Sequence, residues 1–165
     1  MSFFSRIFSK QESSDITELC SPVNGKVINL SEVPDPTFSE EILGKGIAIC
    51  PQSDTFFSPC DGTVEMLFDT CHAISIKSTN DAEILIHIGL ETVELKGKYY
   101  KSHVKNGQKI KKGDKLITFD RQAISDNGYN TITPVVICNS DEFNITEIKL
   151  GDVRTGEPVF KISKL

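Results

Sequence analysis

The chain has 165 residues, about one domain's worth. Its 18 basic against 23 acidic residues leave a charge of −5, which argues against a nucleic-acid binder, since that task needs a basic face to displace counterions from phosphates. With 38% hydrophobic and 25% charged residues, and no window near 18 consecutive apolar residues, it is too apolar for disorder and too polar to span a bilayer.

The amino terminus reads differently from the rest. In M-S-F-F-S-R-I-F-S-K, residues Phe3, Phe4, Ile7 and Phe8 fall on one stripe of a short helix, with Arg6 and Lys10 beside it. No apolar core and cleavage site of a secretory signal follow. Two readings stay open, a weak peripheral membrane contact through residues 1–10 and a tail that is disordered or docks on the body. Residues 9–18 are polar and read as a mobile linker, so the expected organisation is a flexible segment at 1–18 and one domain at 19–165.

From Leu19 onward short segments rich in Val, Ile and Phe alternate with Asn-Gly, Asp-Gly and Lys-Gly punctuation. The expected strands are Lys26–Leu30, Gly46–Cys50, Gly62–Phe68, His72–Lys77, Glu83–Ile88, Lys115–Phe119, Val135–Asn139 and Val159–Lys164, with short helical turns at Ser39–Leu43 and Arg121–Asp126. This pattern predicts an all-β fold, a flattened antiparallel β-sandwich or barrel. The sequence also echoes itself. S-P-V-N-G-K-V at 21–27 matches S-P-C-D-G-T-V at 58–64, and V-K-N-G-Q-K-I-K-K-G-D-K-L-I at 104–117 matches V-R-T-G-E-P-V at 153–159. Both resemble the half-motifs of barrel-sandwich hybrid domains, and two copies of each indicate a pseudo-duplicated fold.

Five cysteines, Cys20, Cys50, Cys60, Cys71 and Cys138, are scattered with no C-x-x-C, which fits free thiols in a reducing cytoplasm better than a disulfide framework or zinc ribbon. Cys71 precedes His72, but neighbours on a strand face opposite ways, so the two are not expected to form a nucleophile–base pair.

The chemistry concentrates in two of three histidines. Residues 70–77 and 82–89 read as strands joined by the turn Ser78–Asp81. Centring this hairpin between Thr79 and Asn80 places His72 directly opposite His87, with Thr70 on the face of His72. Two imidazolium ions so close repel, so one stays neutral near pH 7. The residues alone leave a metal half-site and phosphoryl transfer through imidazole as alternatives. His103, in a basic loop-like segment, is expected to be exposed.

The stretch 21–164 resembles the glucose-type enzyme IIA of the bacterial PEP-dependent sugar phosphotransferase system. The matching segments are V-P-D-P-T-F-S-E-E-I-L-G-K-G-I-A-I at 33–49, S-P-C-D-G-T-V at 58–64, F-D-T-C-H-A-I-S-I at 68–76, I-L-I-H-I-G-L-E-T-V-E-L-K-G at 84–97 and T-P-V-V-I at 133–137. The resemblance implies a β-sandwich carrying a transient phosphohistidine. His87 matches the residue that takes phosphate on Nε2 from HPr and passes it to a cysteine of a permease IIB domain. His72 matches the second histidine, needed mainly for donation; Thr70 the residue that orients it; Gly89 the carbonyl that holds His87 Nδ1–H.

The resemblance further implies an apolar docking face at Phe38, Ile42, Leu43, Phe68, Leu85 and Val93, rimmed by Asp35, Glu91 and Glu94. Departures from the family pattern are Glu91 for Asp, Cys71 for Asn and Lys77 for Glu. No cofactor is required for transfer. A Zn²⁺ held by His72, His87 and a partner carboxylate is implied at regulatory interfaces, whose partners in the family include glycerol kinase, adenylate cyclase and other permeases. A chiefly regulatory binding protein is the alternative. A lysostaphin-like zinc peptidase, similar to residues 104–113, lacks its H-x-H pair here because Leu85 and Gly89 flank His87 by two. A biotinyl or lipoyl carrier lacks its hairpin lysine. A cytoplasmic monomer acting in trans is the expected state.

Overall fold

The computed structural model describes residues 16–165, so the amphipathic segment 1–10 lies outside the described residues. The described elements in order are β1 (Ile16–Cys20), β2 (Gly25–Asn29), α1 (Pro36–Ser39), β3 (Lys45–Pro51), β4 (Thr55–Phe57), β5 (Gly62–Leu67), β6 (Ala73–Ser78) and β7 (Glu83–His87). They continue with β8 (Tyr100–Ser102), β9 (Lys109–Ile110), β10 (Lys115–Phe119), α2 (Arg121–Asp126), β11 (Thr133–Ile137), β12 (Phe143–Thr146), β13 (Gly151–Val153) and β14 (Pro158–Lys164). Short 3-10 turns form at Leu30–Glu32, Thr92–Leu95 and Ser140–Glu142.

An open eight-stranded sheet, β13-β2-β3-β11-β7-β6-β5-β9, is the backbone of the molecule. Two three-stranded sheets, β1-β14-β12 and β4-β10-β8, accompany it, and every strand pair is antiparallel. The expected sandwich is found, and it does not close into a barrel. Alternation along the central strands explains its two faces. Ile47, Ile49, Ile74, Ile76, Ile84, Ile86, Val135 and Ile137 point into the main core, shared with Phe56, Phe119 and Phe160 of the small sheets. Residues adjacent to them in the strands, Ala48, Ala73, Leu85 and Val136, point to the opposite face and form a second cluster with Leu30, Val33, Phe38 and Leu90. His87 follows Leu85 by two and emerges on that second face.

The internal echo is structural. Ser21 Oγ donates to Val23 O at 2.6 Å and Ser58 Oγ donates to Cys60 O at 2.7 Å, the same turn in both copies. The second echo closes on the first in both halves: Gly156 N–H donates to Ser21 O and Gly113 N–H to Ser58 O. Residues 110–116 are thus the partners of 153–159, within the longer 104–117 match.

Several expectations are corrected. Strand β1 begins at Ile16 and pairs with Ser163, so residues 16–18 belong to the sheet and not to the linker. The first helix spans Pro36–Ser39 and not Ser39–Leu43, because Asp35 caps it by accepting Thr37 N–H at 3.0 Å and Pro36 starts it. Strand β11 begins at Thr133 and includes Pro134, which sits one residue before pairing with β7 starts, where a missing N–H costs no ladder bond. The short strands β4, β8, β9, β12 and β13 offer too few alternating residues to read from sequence. Among the described residues no helix is long and apolar enough to cross a membrane.

Candidate functional site

The site is built on the β6–β7 hairpin. Its loop has three residues, Thr79–Asp81, and not the expected four: Asp81 adopts φ 68°, and Ser78 N–H donates to Ala82 O at 2.9 Å. The register therefore shifts by one, and His87 faces Ala73, not His72. The imidazoles meet nonetheless, because His72 precedes β6 and the strand geometry assumed for it does not apply. Cys71 takes φ 57° and closes a turn through its N–H to Phe68 O at 2.8 Å, which swings His72 out of strand alternation. Cys71 itself is half-buried in that turn. The His72 carbonyl then accepts Ile88 N–H at 2.7 Å, tying the two histidine segments together. The rings lie 5.0 Å apart edge-on, at 81°.

Each ring is held at Nδ1. His72 Nδ1 hydrogen-bonds the Thr70 hydroxyl. His87 Nδ1 lies 2.7 Å from the Gly89 carbonyl, which can only accept, so Nδ1 carries the proton and the neutral ring keeps its lone pair on Nε2. Gly89 is required there. Its φ is +87°, and a Cβ would come within 2.5 Å of Thr92 Cγ2 and 3.0 Å of Asn130 O. Beneath His87, the Phe38 ring stands 5.1 Å away; Phe68 meets His72 edge-on at 5.5 Å.

Both imidazoles resist protonation. Burial, reinforced by the neighbouring His87, pushes His72 down to about 4, in keeping with its 4% exposure. Burial also lowers His87, partly offset by its bond to Gly89 and by the Asp35 carboxylate. A buried neutral histidine links stability to pH. Between about pH 6.5 and 4 the unfolded chain binds the proton that folded His72 refuses, so stability falls as pH falls through that window. For His72 alone the expected loss between pH 7 and pH 5 is about 2 kcal/mol. Urea unfolding at the two pH values should show it, and His72→Gln should remove that part of the difference; an equal loss in the variant refutes the assignment.

Of the residues expected to dock partners, Ile42, Leu43, Phe68 and Val93 are exposed, whereas Phe38 and Leu85 are buried in the second cluster. Asp35 is half-buried; Glu91, with φ 57°, and Glu94 are exposed. His103 is exposed on the β8 side, 3.0 Å from Thr118 Oγ1. Among the described residues no group of three or more His, Cys, Asp or Glu could hold a metal ion. Sequence reasoning missed Ala73, whose small side chain leaves room for the His87 ring, and the support of the Gly89 loop by Thr92, Tyr100 and Asn130. An Ala facing a histidine is readable only once the register is known.

Comparison with known proteins gives the family of the chain. Residues 17–143 match the family model of the phosphoenolpyruvate-dependent sugar phosphotransferase system, EIIA 1. The chain is 43% identical over 149 residues to the PTS system glucose-specific EIIA component of Oceanobacillus iheyensis, covering 90% of each. It is 44% identical over 144 residues to the PTS system beta-glucoside-specific EIIBCA component of Bacillus subtilis, covering 87% of this chain and 24% of that one. Among solved structures, glucose permease IIA from Mycoplasma capricolum matches with a TM-score of 0.85 at 35% identity, over 88% of this chain and 95% of that one. The chain belongs to the EIIA 1 family, the phosphocarriers of the sugar phosphotransferase system.

Proposed function

We propose that His87 accepts the phosphoryl group from phosphohistidine on HPr and delivers it to a cysteine of a permease IIB domain. The observation that carries this reading is the bond from His87 Nδ1–H to Gly89 O, which leaves Nε2 as the nucleophile on a half-exposed ring. Nε2 attacks phosphorus in line, an Nε2–P bond forms, and the bond to the donor imidazole breaks with its electron pair leaving on that ring. In the second half, the IIB thiolate attacks and His87 departs as the neutral Nδ1–H imidazole. The transition state is loose, so the protein contributes position and charge placement rather than covalent chemistry. Thr70 acts by donating its hydroxyl proton to His72 Nδ1, which puts the His72 proton on Nε2, aimed at the phosphoryl oxygens. Incubation with PEP, enzyme I and HPr should label His87 at Nε2; label on His72 or Cys71 refutes the reading.

Docking falls to the exposed apolar residues Ile42, Leu43, Phe68 and Val93, with Phe38 and Leu85 carrying His87 from below. Asp35, Glu91 and Glu94 form an acidic rim for a basic partner surface. Val93 is 48% exposed, so Val93→Asp should leave the melting temperature unchanged while raising KM for phospho-HPr about tenfold. Unchanged KM removes Val93 from the interface.

Among the described residues a Zn²⁺ fits only as a shared ion. His87 would ligate through Nε2, and so would His72 once its proton had moved from Nε2 to Nδ1 to be donated to the Thr70 hydroxyl, with the remaining ligands from a partner. Such an ion would bridge carrier and partner while occupying the nitrogen that transfer requires.

A further inference from the structure

The carbonyl that fixes the His87 tautomer is itself fixed from both sides. In the peptide before Gly89, the Ile88 carbonyl accepts two hydroxyls, Thr92 Oγ1–H at 2.7 Å and Tyr100 Oη–H at 2.8 Å. In the peptide after it, Leu90 N–H donates to Asn130 O at 2.9 Å. Thr92 is fully buried and its methyl lies against Gly89. Tyr100 is half-buried, and burial pushes its phenol up to about 12, so it remains a donor at any working pH.

One hydroxyl would satisfy the Ile88 carbonyl. Two donors from separate elements, the 3-10 turn Thr92–Leu95 and strand β8, define the plane of the Ile88–Gly89 peptide. Strand β7 ends at His87, so no ladder bond does that work beyond it. The Leu90 bond also polarises the Gly89 carbonyl toward its own acceptor role.

We infer that Thr92 and Tyr100 are positioning residues for phosphoryl acceptance, holding the Ile88–Gly89 peptide so that the Gly89 carbonyl stays aimed at His87 Nδ1–H. The inference rests on the reading of His87 as the acceptor. When Nε2 takes the phosphoryl group the ring gains positive character, and the Nδ1–H···O bond becomes charge-assisted. A carbonyl free to swing therefore costs more in the phosphorylated state than at rest. It also releases the resting ring to its other tautomer, with the proton on Nε2 and no lone pair there to attack.

The test uses the full chain, ¹⁵N-labelled at histidine, as wild type, Tyr100→Phe, Thr92→Val, the double variant and Thr92→Ser. Acceptance from phospho-HPr should slow about threefold in Tyr100→Phe and more than tenfold in the double variant. The ¹⁵N spectrum of His87 should show a growing Nε2–H fraction. Its titration should move to lower pH, because the Gly89 bond is what raises it. Thr92→Ser keeps the hydroxyl and should match wild type. Lowered melting temperatures with unchanged His87 nitrogen shifts and rates would reduce the pair to a structural role and overturn the inference, as would Thr92→Ser behaving like Thr92→Val. If the double variant does not fold, Tyr100→Phe decides alone, since it removes one oxygen atom. A wild type that takes no label on His87 fails the acceptor reading instead, a separate outcome seen before any variant is compared.

Discussion

Substituting alanine for His87 should reduce phosphoryl acceptance from phospho-HPr to background, while His72→Gln should still accept and then fail in delivery. The asymmetry follows from where the rings sit. His87 is half-exposed with its lone pair directed away from Gly89, whereas His72 is buried beneath the edge of Phe68. An incoming phosphorus reaches the first and not the second. On the proposed reading His72 meets the oxygens of the bound group, and the help it gives is the placement of a donor at developing charge. Loss of one such donor costs about 10²–10³-fold in rate. Pulse-labelling with phospho-HPr, followed by a chase with a IIB domain, separates the two steps. Equal loss of both steps in His72→Gln would make the two histidines equivalent and end the assignment of roles.

Gly89→Ala should be the most destabilising single-methyl change at the site, by about 2–4 kcal/mol. Two penalties combine there. The backbone stands at φ +87°, where an L-residue is strained, and the new Cβ would lie 2.5 Å from the methyl of fully buried Thr92. Thr92 cannot yield without surrendering its bond to Ile88 O. Relief by backbone rotation would instead carry the Gly89 carbonyl off His87 Nδ1. Stability and phosphoryl acceptance should thus fall together, read by urea midpoint and labelling rate. Thr92→Ala in the same chain should recover part of the stability, because it removes the methyl that the new Cβ meets. A Gly89→Ala chain with the wild-type midpoint would show that the loop is softer than its bonds imply.

How far the site could be read from residues depends on what set each part. The outward face of β7 was legible, because Ile84 and Ile86 alternate with Leu85 and His87 whatever the pairing. The partner across the hairpin was not. A loop shorter by one residue, made possible by left-handed backbone at Asp81, moved Ala73 opposite His87. His72 reached its place through a second left-handed residue, Cys71, and neither aspartate nor cysteine advertises that conformation as glycine does. The motif match carried Thr70 and Gly89 to their rings despite the mistaken register, since each bond spans two residues and is local. Tyr100 was hidden for the opposite reason: it reaches Ile88 from twelve positions further along the chain, with no periodicity to mark it. At the amino terminus, the polar run through Glu18 concealed a strand whose order comes from pairing with β14 at the far end of the chain.

The open eight-stranded sheet ends in β13, three residues long, and β9, only two. Lys109 and Lys111 bracket the buried Ile110 at the β9 edge. Borders this short and this charged give a foreign strand little to zip onto, so this sheet is guarded against fusing edge to edge with that of another copy. The same guard shapes its working life. At these two borders a visitor finds little backbone ladder to pair with, a contact that would be slow to unpick, and is met by side chains instead. For a carrier that discharges to one protein and reloads from another, brief handshakes of that kind set the pace of turnover.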